Sequence, residues 1–192
     1  MATLEMIWPE DRLATPPEYS PPDDYRLRTF RPGDEKAYIE LMRAAGFDCW
    51  TDETLDEVLK NAIPEGVIFA EHEASSAIAA TAMGWYKPND LFPDAYEMGW
   101  VAASPEHQGR GLGRVVTAAS TDTIIRAGAS SIYLLTDDWR LPAIKGYLRV
   151  GYVPFFSKPD IKPCWQEVFS KLALSMEDYA TVDHAAQTER KA

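Results

Sequence analysis

Positive charge is scarce in this chain. Nineteen Lys and Arg stand against 30 Asp and Glu over 192 residues, a net charge of −11. A nucleic-acid partner needs a positive field, and this balance argues against one. It suits a cationic substrate such as an amine, and it serves solubility equally well. Cysteine is limited to Cys49 and Cys164, far apart and without metal-ligand spacing or a disulfide framework. They are expected as free buried thiols in a reducing cytoplasm. The three histidines, His72, His107 and His184, are scattered, which speaks against a zinc site; no metal is expected. No apolar run reaches the roughly 20 residues of a membrane span. The start, Met1-Ala2-Thr3-Leu4-Glu5, lacks the basic and then apolar run of a signal peptide. The chain is thus expected in the cytoplasm, away from membranes. No internal repeat is visible.

What is present is a hydrophobic content of 46%, enough for one sizeable core. Residues 1–24 carry Pro9, Pro16, Pro17, Pro21 and Pro22 and are expected to form an extended arm outside the domain. Trp8 and Leu13 could still pin it down. Tyr25 to Phe30 alternates polar and apolar residues, the mark of a strand. Helices are expected over about 34–45, ended by Gly46, and from Thr51 or Asp52 to before Pro64. Strands follow at 66–71, 77–85 and 96–102, with strong breakers between Lys87 and Asp94. Then come a helix over 111–127, a strand over 131–136, a helix over 142–150 and a strand over 152–156. The spacing of Trp165, Val168, Phe169 and Leu172 favours a helix over 165–176 rather than a last strand. The domain is therefore set at 25–176, and 177–192 is expected as a flexible polar tail. The meander at 66–101 implies antiparallel pairing, and the alternation after residue 95 implies parallel pairing.

The segment Gln108-Gly109-Arg110-Gly111-Leu112-Gly113 lies between a strand and a helix. Glycine lets backbone N–H groups approach a ligand closely, and the helix start adds free N–H groups and positive potential. Arg110 and Arg114 add charge. A dinucleotide fold would want Gly-x-Gly-x-x-Gly, and a Walker A loop would want Gly-Lys-Ser/Thr. Neither is present, and on glycine spacing alone a purely structural turn remains open.

The wider context, Val101 to Arg114, resembles the acetyl-CoA-binding motif of the GNAT superfamily of N-acetyltransferases, which ends Gln/Arg-x-x-Gly-x-Gly/Ala with a proline shortly before. Pro105, Gln108, Gly111 and Gly113 match it. A second stretch, with Ala143, Tyr147, Gly151 and Tyr152, resembles the family's later Ala-x-x-x-Tyr-x-x-x-Gly-Phe/Tyr motif. The chain departs from the pattern at Arg140, where the family often has asparagine, and at Ala103, where it usually has a larger aliphatic residue. No final strand is evident after Phe156. The resemblance covers about residues 25–156. It implies an α/β (α+β) fold: a mixed, mostly antiparallel central sheet with splayed parallel strands, flanked by helices.

It also implies transfer of an acetyl group from acetyl-CoA to a primary amine by direct attack. The cofactor would be held by Gln108, Gly109, Arg110, Gly111, Leu112, Gly113 and Arg114. A backbone N–H of Val101, Ala102 or Ala103 would meet the thioester oxygen. Glu97 would be the base, often acting through water in such enzymes, and Tyr147 the acid near the cofactor sulfur. Other residue-level readings stay open: a salt-bridged Glu97 and a Tyr147 merely packed on the sheet. Asp137 and Asp138 are read as a solvated loop end that could line the acceptor pocket, and His107, which could be a base, is read from its place in the loop as solvent-facing. Trp85, Tyr86, Phe92, Trp100 and Trp139 are either core or pocket. A small-molecule amine ranks first as acceptor. A protein N-terminus or lysine, a non-catalytic acyl-CoA-binding module and an interaction protein are the alternatives.

Overall fold

A computed structural model describes residues 2–184. Its eight-stranded sheet has the order β2-β3-β4-β5-β6-β1-β7-β8. The strands are β1 (Thr3–Trp8), β2 (Tyr25–Thr29), β3 (Ala62–His72), β4 (Ile78–Tyr86), β5 (Tyr96–Ala103), β6 (Ile132–Asp137), β7 (Val153–Phe156) and β8 (Val182–Asp183). The helices are α1 (Glu35–Ala44), α2 (Asp52–Asn61), α3 (Leu112–Arg126), α4 (Leu141–Val150) and α5 (Ile161–Lys171). The expected class holds. Pairing is antiparallel except between β5 and β6 and between β7 and β8.

Alternation along β3 and β4 sorts the two faces, because successive strand residues point to opposite sides. Val67, Phe69 and Met83 pack with Tyr38, Leu41 and Met42 of α1 and with Leu55 and Val58 of α2. Ile68, Ala70, Ala80 and Ala82 join Leu112, Val116, Ala119 and Ile124 of α3 in the larger core. That core runs on through α4 and α5 to Trp165 and Phe169. The strand β3 starts four residues before the expected 66. An irregularity between Ala62 and Val67, with Glu65 at φ 57°, absorbs the breakers Pro64 and Gly66.

The largest departure from expectation lies at the N-terminal end. The extended arm drawn over 1–24 is extended at Thr3–Trp8, but it is an interior strand rather than an appendage. β1 lies antiparallel between β6 and β7, with Met6 opposite Leu134 on one side and Pro154 on the other. Leu4 and Met6 are fully buried, and Ile7 and Trp8 nearly so. The prolines all lie at position 9 or later, so nothing in Thr3–Trp8 prevents two-sided pairing. No strand follows Phe156 directly. Residues Ile161–Lys171 form α5, four residues earlier than the spacing suggests, with Pro163 tolerated in its first turn.

The stretch expected as tail is ordered as far as it is described. Met176–Asp178 form a 3-10 turn, and Val182–Asp183 pair with β7. Residues 185–192 lie outside the described residues. Both cysteines are free as expected, but Cys49 is exposed and Cys164 half-buried. Among the described residues, no helix is long and apolar enough to cross a membrane.

Candidate functional site

The site begins where β5 leaves β6. Parallel pairing covers only Tyr96↔Ile132 and Glu97↔Tyr133. Beyond it, β5 runs to Ala103 along β4 alone, and a gap opens against β6. A bulge marks the divergence: between the pairs Thr81↔Ala102 and Met83↔Gly99, Trp100 and Val101 together oppose Ala82. Trp100 has φ 49°, a left-handed conformation that disfavours a bulky side chain. Its ring is held edge-on to Phe47 and Trp50, at 5.7 and 5.2 Å. Packing thus sustains a backbone strain of roughly 1–3 kcal/mol.

Two cavities flank the gap. One, about 360 Å³, is lined by Val101, Ala102, Ala103, Gln108, Gly109, Gly113 and Arg114, with Thr117 and α4 behind them. The other, about 240 Å³, is lined by Trp85, Lys87, Glu97, Trp100, Thr136 and Asp137, with Thr3 and Leu135 on its edge. Phe47, Val101, Arg140 and Tyr147 line both. The cavities therefore meet at these four residues.

The first cavity opens onto the start of α3. Gly109 and Gly111 adopt φ 77° and 78°, and a Cβ on Gly109, Gly111 or Gly113 would meet no other atom within 4 Å. Their smallness thus serves open space rather than packing within the chain. Gly111 is the N-cap of α3, no side chain caps that helix, and its first turn carries no acidic residue. Free N–H groups and the positive helix end consequently face outward. Thr117 Oγ1 is buried beside this cavity, without a hydrogen-bond partner among the described residues.

The predicted loop residues divide by role. Gln108, Gly109, Gly113 and Arg114 line the groove. The Arg110 guanidinium instead lies over Tyr25, 5.9 Å from the ring centre. The Leu112 side chain is buried in the core, which fixes the start of α3. His107 is half-buried rather than solvated: its Nδ1 is 2.7 Å from the Tyr25 hydroxyl, which ties the loop to β2.

Glu97 stands on β5 at the last paired position before the gap, 8% exposed. Its Oε2 lies 2.9 Å from Lys87 Nζ and 3.2 Å from the Tyr133 hydroxyl. That hydroxyl also donates to the Lys87 carbonyl at 2.8 Å. Burial, with Glu97 second, pushes the Tyr133 phenol well up, so it remains a proton donor. Tyr147 faces the same region from α4. Burial pushes its phenol up to about 12, and the Arg140 cation opposes that rise. Among the described residues, its hydroxyl has no hydrogen-bond partner.

Of the aromatic candidates, Trp85 and Trp100 line the second cavity. Phe92 stacks on Tyr133 in the core at 4.5 Å, and Tyr86 packs on Tyr96 at the surface. Trp139 is exposed beside Arg140. Asp137 lines the cavity, whereas Asp138 accepts the Ala2 N–H at 3.1 Å and anchors β1. Sequence reasoning missed Phe47, Lys87 and Thr136, which have no motif around them, and treated Arg140 only as a departure.

The family model described as "Acetyltransferase (GNAT) family" matches residues 35–152. The chain belongs to the GNAT acetyltransferase family. This GNAT chain is 30% identical over 168 residues to mycothiol acetyltransferase of Thermobispora bispora, covering 79% of the chain and 55% of that protein. It is 26% identical over 165 residues to the protein of that name from Saccharomonospora viridis, covering 79% and 50%. The chain spans about half the length of the curated relatives it matches. Among solved structures, a GCN5-related N-acetyltransferase from Sphaerobacter thermophilus superposes with TM-score 0.63 at 24% identity, over 79% of this chain and 48% of that one. A GNAT acetyltransferase from Brucella melitensis, solved with acetyl-CoA, gives 0.53 at 20% identity, over 66% and 81%. These likenesses are of fold.

Proposed function

We propose that this GNAT domain transfers an acetyl group from acetyl-CoA to a primary amine on a small molecule. The observation that carries the reading is the meeting of the two cavities at Phe47, Val101, Arg140 and Tyr147. The pyrophosphate sits at the start of α3 against the N–H groups of residues 109–114, with Arg114 beside it. The pantetheine arm lies in the gap between β5 and β6, and the thioester reaches the junction. The amine arrives from the smaller cavity, whose wall of Phe47, Trp85, Trp100 and Leu135 suits a small acceptor. The name carried by the curated relatives, mycothiol acetyltransferase, also points to a small acceptor.

Glu97 takes the proton that the ammonium must lose. An alkyl ammonium has a pKa near 10.4, so presenting the free amine at pH 7 costs about 4–5 kcal/mol. Lys87 is half-exposed on a flexible stem. An incoming ammonium displaces it, because two like charges compete for one carboxylate. The amine nitrogen attacks the carbonyl carbon. The oxyanion is held by a backbone N–H of Val101, Ala102 or Ala103 on the unpaired stretch of β5. The C–S bond then breaks, its electron pair passes to sulfur, and Tyr147 supplies the proton; the surplus proton on the attacking nitrogen returns through solvent to the tyrosinate, leaving a neutral amide, a CoA thiol and a regenerated phenol.

Two outcomes test this. Acetyl-CoA should raise the melting temperature by mass action, and amines should then release CoA thiol. Binding with no turnover on any amine would leave a non-catalytic module. Gly111→Asp puts a negative charge at the start of α3, and Asp tolerates left-handed backbone, so the fold survives. Affinity for acetyl-CoA should drop at least tenfold by calorimetry; unchanged affinity would remove the loop from the cofactor site.

Glu97→Gln keeps the shape and an acceptor for Tyr133. The rate at neutral pH should fall by about 10²–10⁴, the range of general base catalysis. The defect should shrink at high pH, where free amine is plentiful. A pH-independent defect would assign Glu97 a structural role.

A further inference from the structure

Arg140 occupies the position where the family often has asparagine, and its surroundings give the change a use. It precedes α4 directly and lines both cavities at their junction, as Tyr147 does. Its guanidinium carbon lies 4.5 Å from the Phe47 ring centre and 4.9 Å from that of Trp139. Contact with two aromatic rings fixes a planar cation without consuming its hydrogen-bond donors. Nε is buried and approaches Asp137 Oδ2 at 3.3 Å, outside hydrogen-bond geometry. Among the described residues, neither terminal nitrogen has a hydrogen-bond partner. Those donors are held at the point where donor groove and acceptor cavity join.

We propose that Arg140 is a catalytic residue that stabilises the negative charge appearing on the CoA sulfur as the thioester breaks. The inference rests on the donor reading above. When the tetrahedral intermediate collapses, the C–S electron pair moves onto sulfur before or while the Tyr147 proton reaches it. A fixed cation beside that sulfur lowers the energy of the charged species. It interacts far less with the neutral thioester, so its effect falls on the transition state. Among the described residues, the other charged or titratable groups lining the two cavities are Asp137 at the end of β6, Glu97 on β5, Lys87 before β5, Arg114 on α3 and Tyr147 on α4. Asp137 neutralises only part of the guanidinium charge, being itself about two-fifths exposed.

The experiment compares binding of CoA with that of desulfo-CoA, which lacks only the sulfur, at pH 7 and pH 9.5 by calorimetry. Taking the ratio of the two affinities cancels pH effects on the part of the cofactor that both ligands share, and comparing wild type with Arg140→Met separates the guanidinium from the other nearby charges. A free thiol ionises near 8.5, so a cation at the sulfur should favour CoA increasingly as pH rises. In the wild-type protein the preference for CoA should grow at least tenfold between the two pH values beyond that for desulfo-CoA. Arg140→Met should remove that growth while keeping desulfo-CoA affinity, and Arg140→Lys should retain part of it. An unchanged ratio in Arg140→Met overturns the proposal. Equal loss of both ligands in Arg140→Met also overturns it, since the side chain would then anchor the cofactor or the fold. Failure of desulfo-CoA to bind the wild-type protein sinks the donor reading itself, which is a distinguishable result.

Discussion

Removal of residues 1–9 should leave a chain that does not fold cooperatively. β1 is paired on both edges, to β6 along its length and to β7 from Glu5 to Ile7. Losing it exposes two sheet edges in the interior. It also strips Leu4, Met6, Ile7 and Trp8 from the core, each at most 8% exposed. Full burial of such a side chain contributes about 1.5–3 kcal/mol, so four contribute roughly 6–12. A whole domain is stable by only about 5–15 kcal/mol. The removed strand alone is thus comparable to the total. Chemical denaturation followed by circular dichroism reads the result. A truncated chain with a steep transition near that of the full chain would show that β1 is dispensable. Met6→Asp should behave similarly, because an unpaired charge would be placed at a fully buried position.

Tyr147→Phe should keep the fold and lose turnover by about 10²–10⁴, the usual range for a general acid. The ring is buried in the main core and lies edge-on to Tyr152 at 6.5 Å. Phe preserves that packing. The hydroxyl has no partner within the described residues, so its removal orphans no buried group. With the phenol pushed up to about 12, the acid form is present across the physiological range, and the size of the defect should not vary with pH near neutrality. Steady-state turnover on an active amine, beside acetyl-CoA affinity, is the measurement. Full turnover in the variant would take Tyr147 out of the mechanism. Weakened cofactor binding with it would make Tyr147 a pantetheine contact. Glu97→Gln should instead show a defect that narrows as pH rises, so the two variants separate acid from base.

Local signals carried much of the architecture. The helix at 34–45 with Gly46 after it, the breakers around 87–94 and the glycine turn opening α3 follow from φ preferences and from which side chains alternate. Each can be read within a dozen residues because backbone sterics and capping act at that range. The two motifs reached further: their order and spacing identified the family, and the structure places Gln108, Gly113 and Tyr147 along one groove.

The sequence by itself therefore determined the order of elements from Tyr25 to Phe156 and the chemical character of the loop before α3. Tertiary structure alone decided where Thr3–Trp8 goes, because a strand's partners depend on which sheet edges lie open, and β6 and β7 are more than a hundred residues away. It also decided what the second cavity contains. Phe47, Lys87, Thr136 and Arg140 come from four separate elements or loops, and no spacing rule links them. Arg140 most clearly needed the third dimension. Along the chain it is a departure from a motif, while in space it is a cation against two aromatic rings at the junction of two cavities. Charge acts through distance, and that distance is set only once the sheet has splayed.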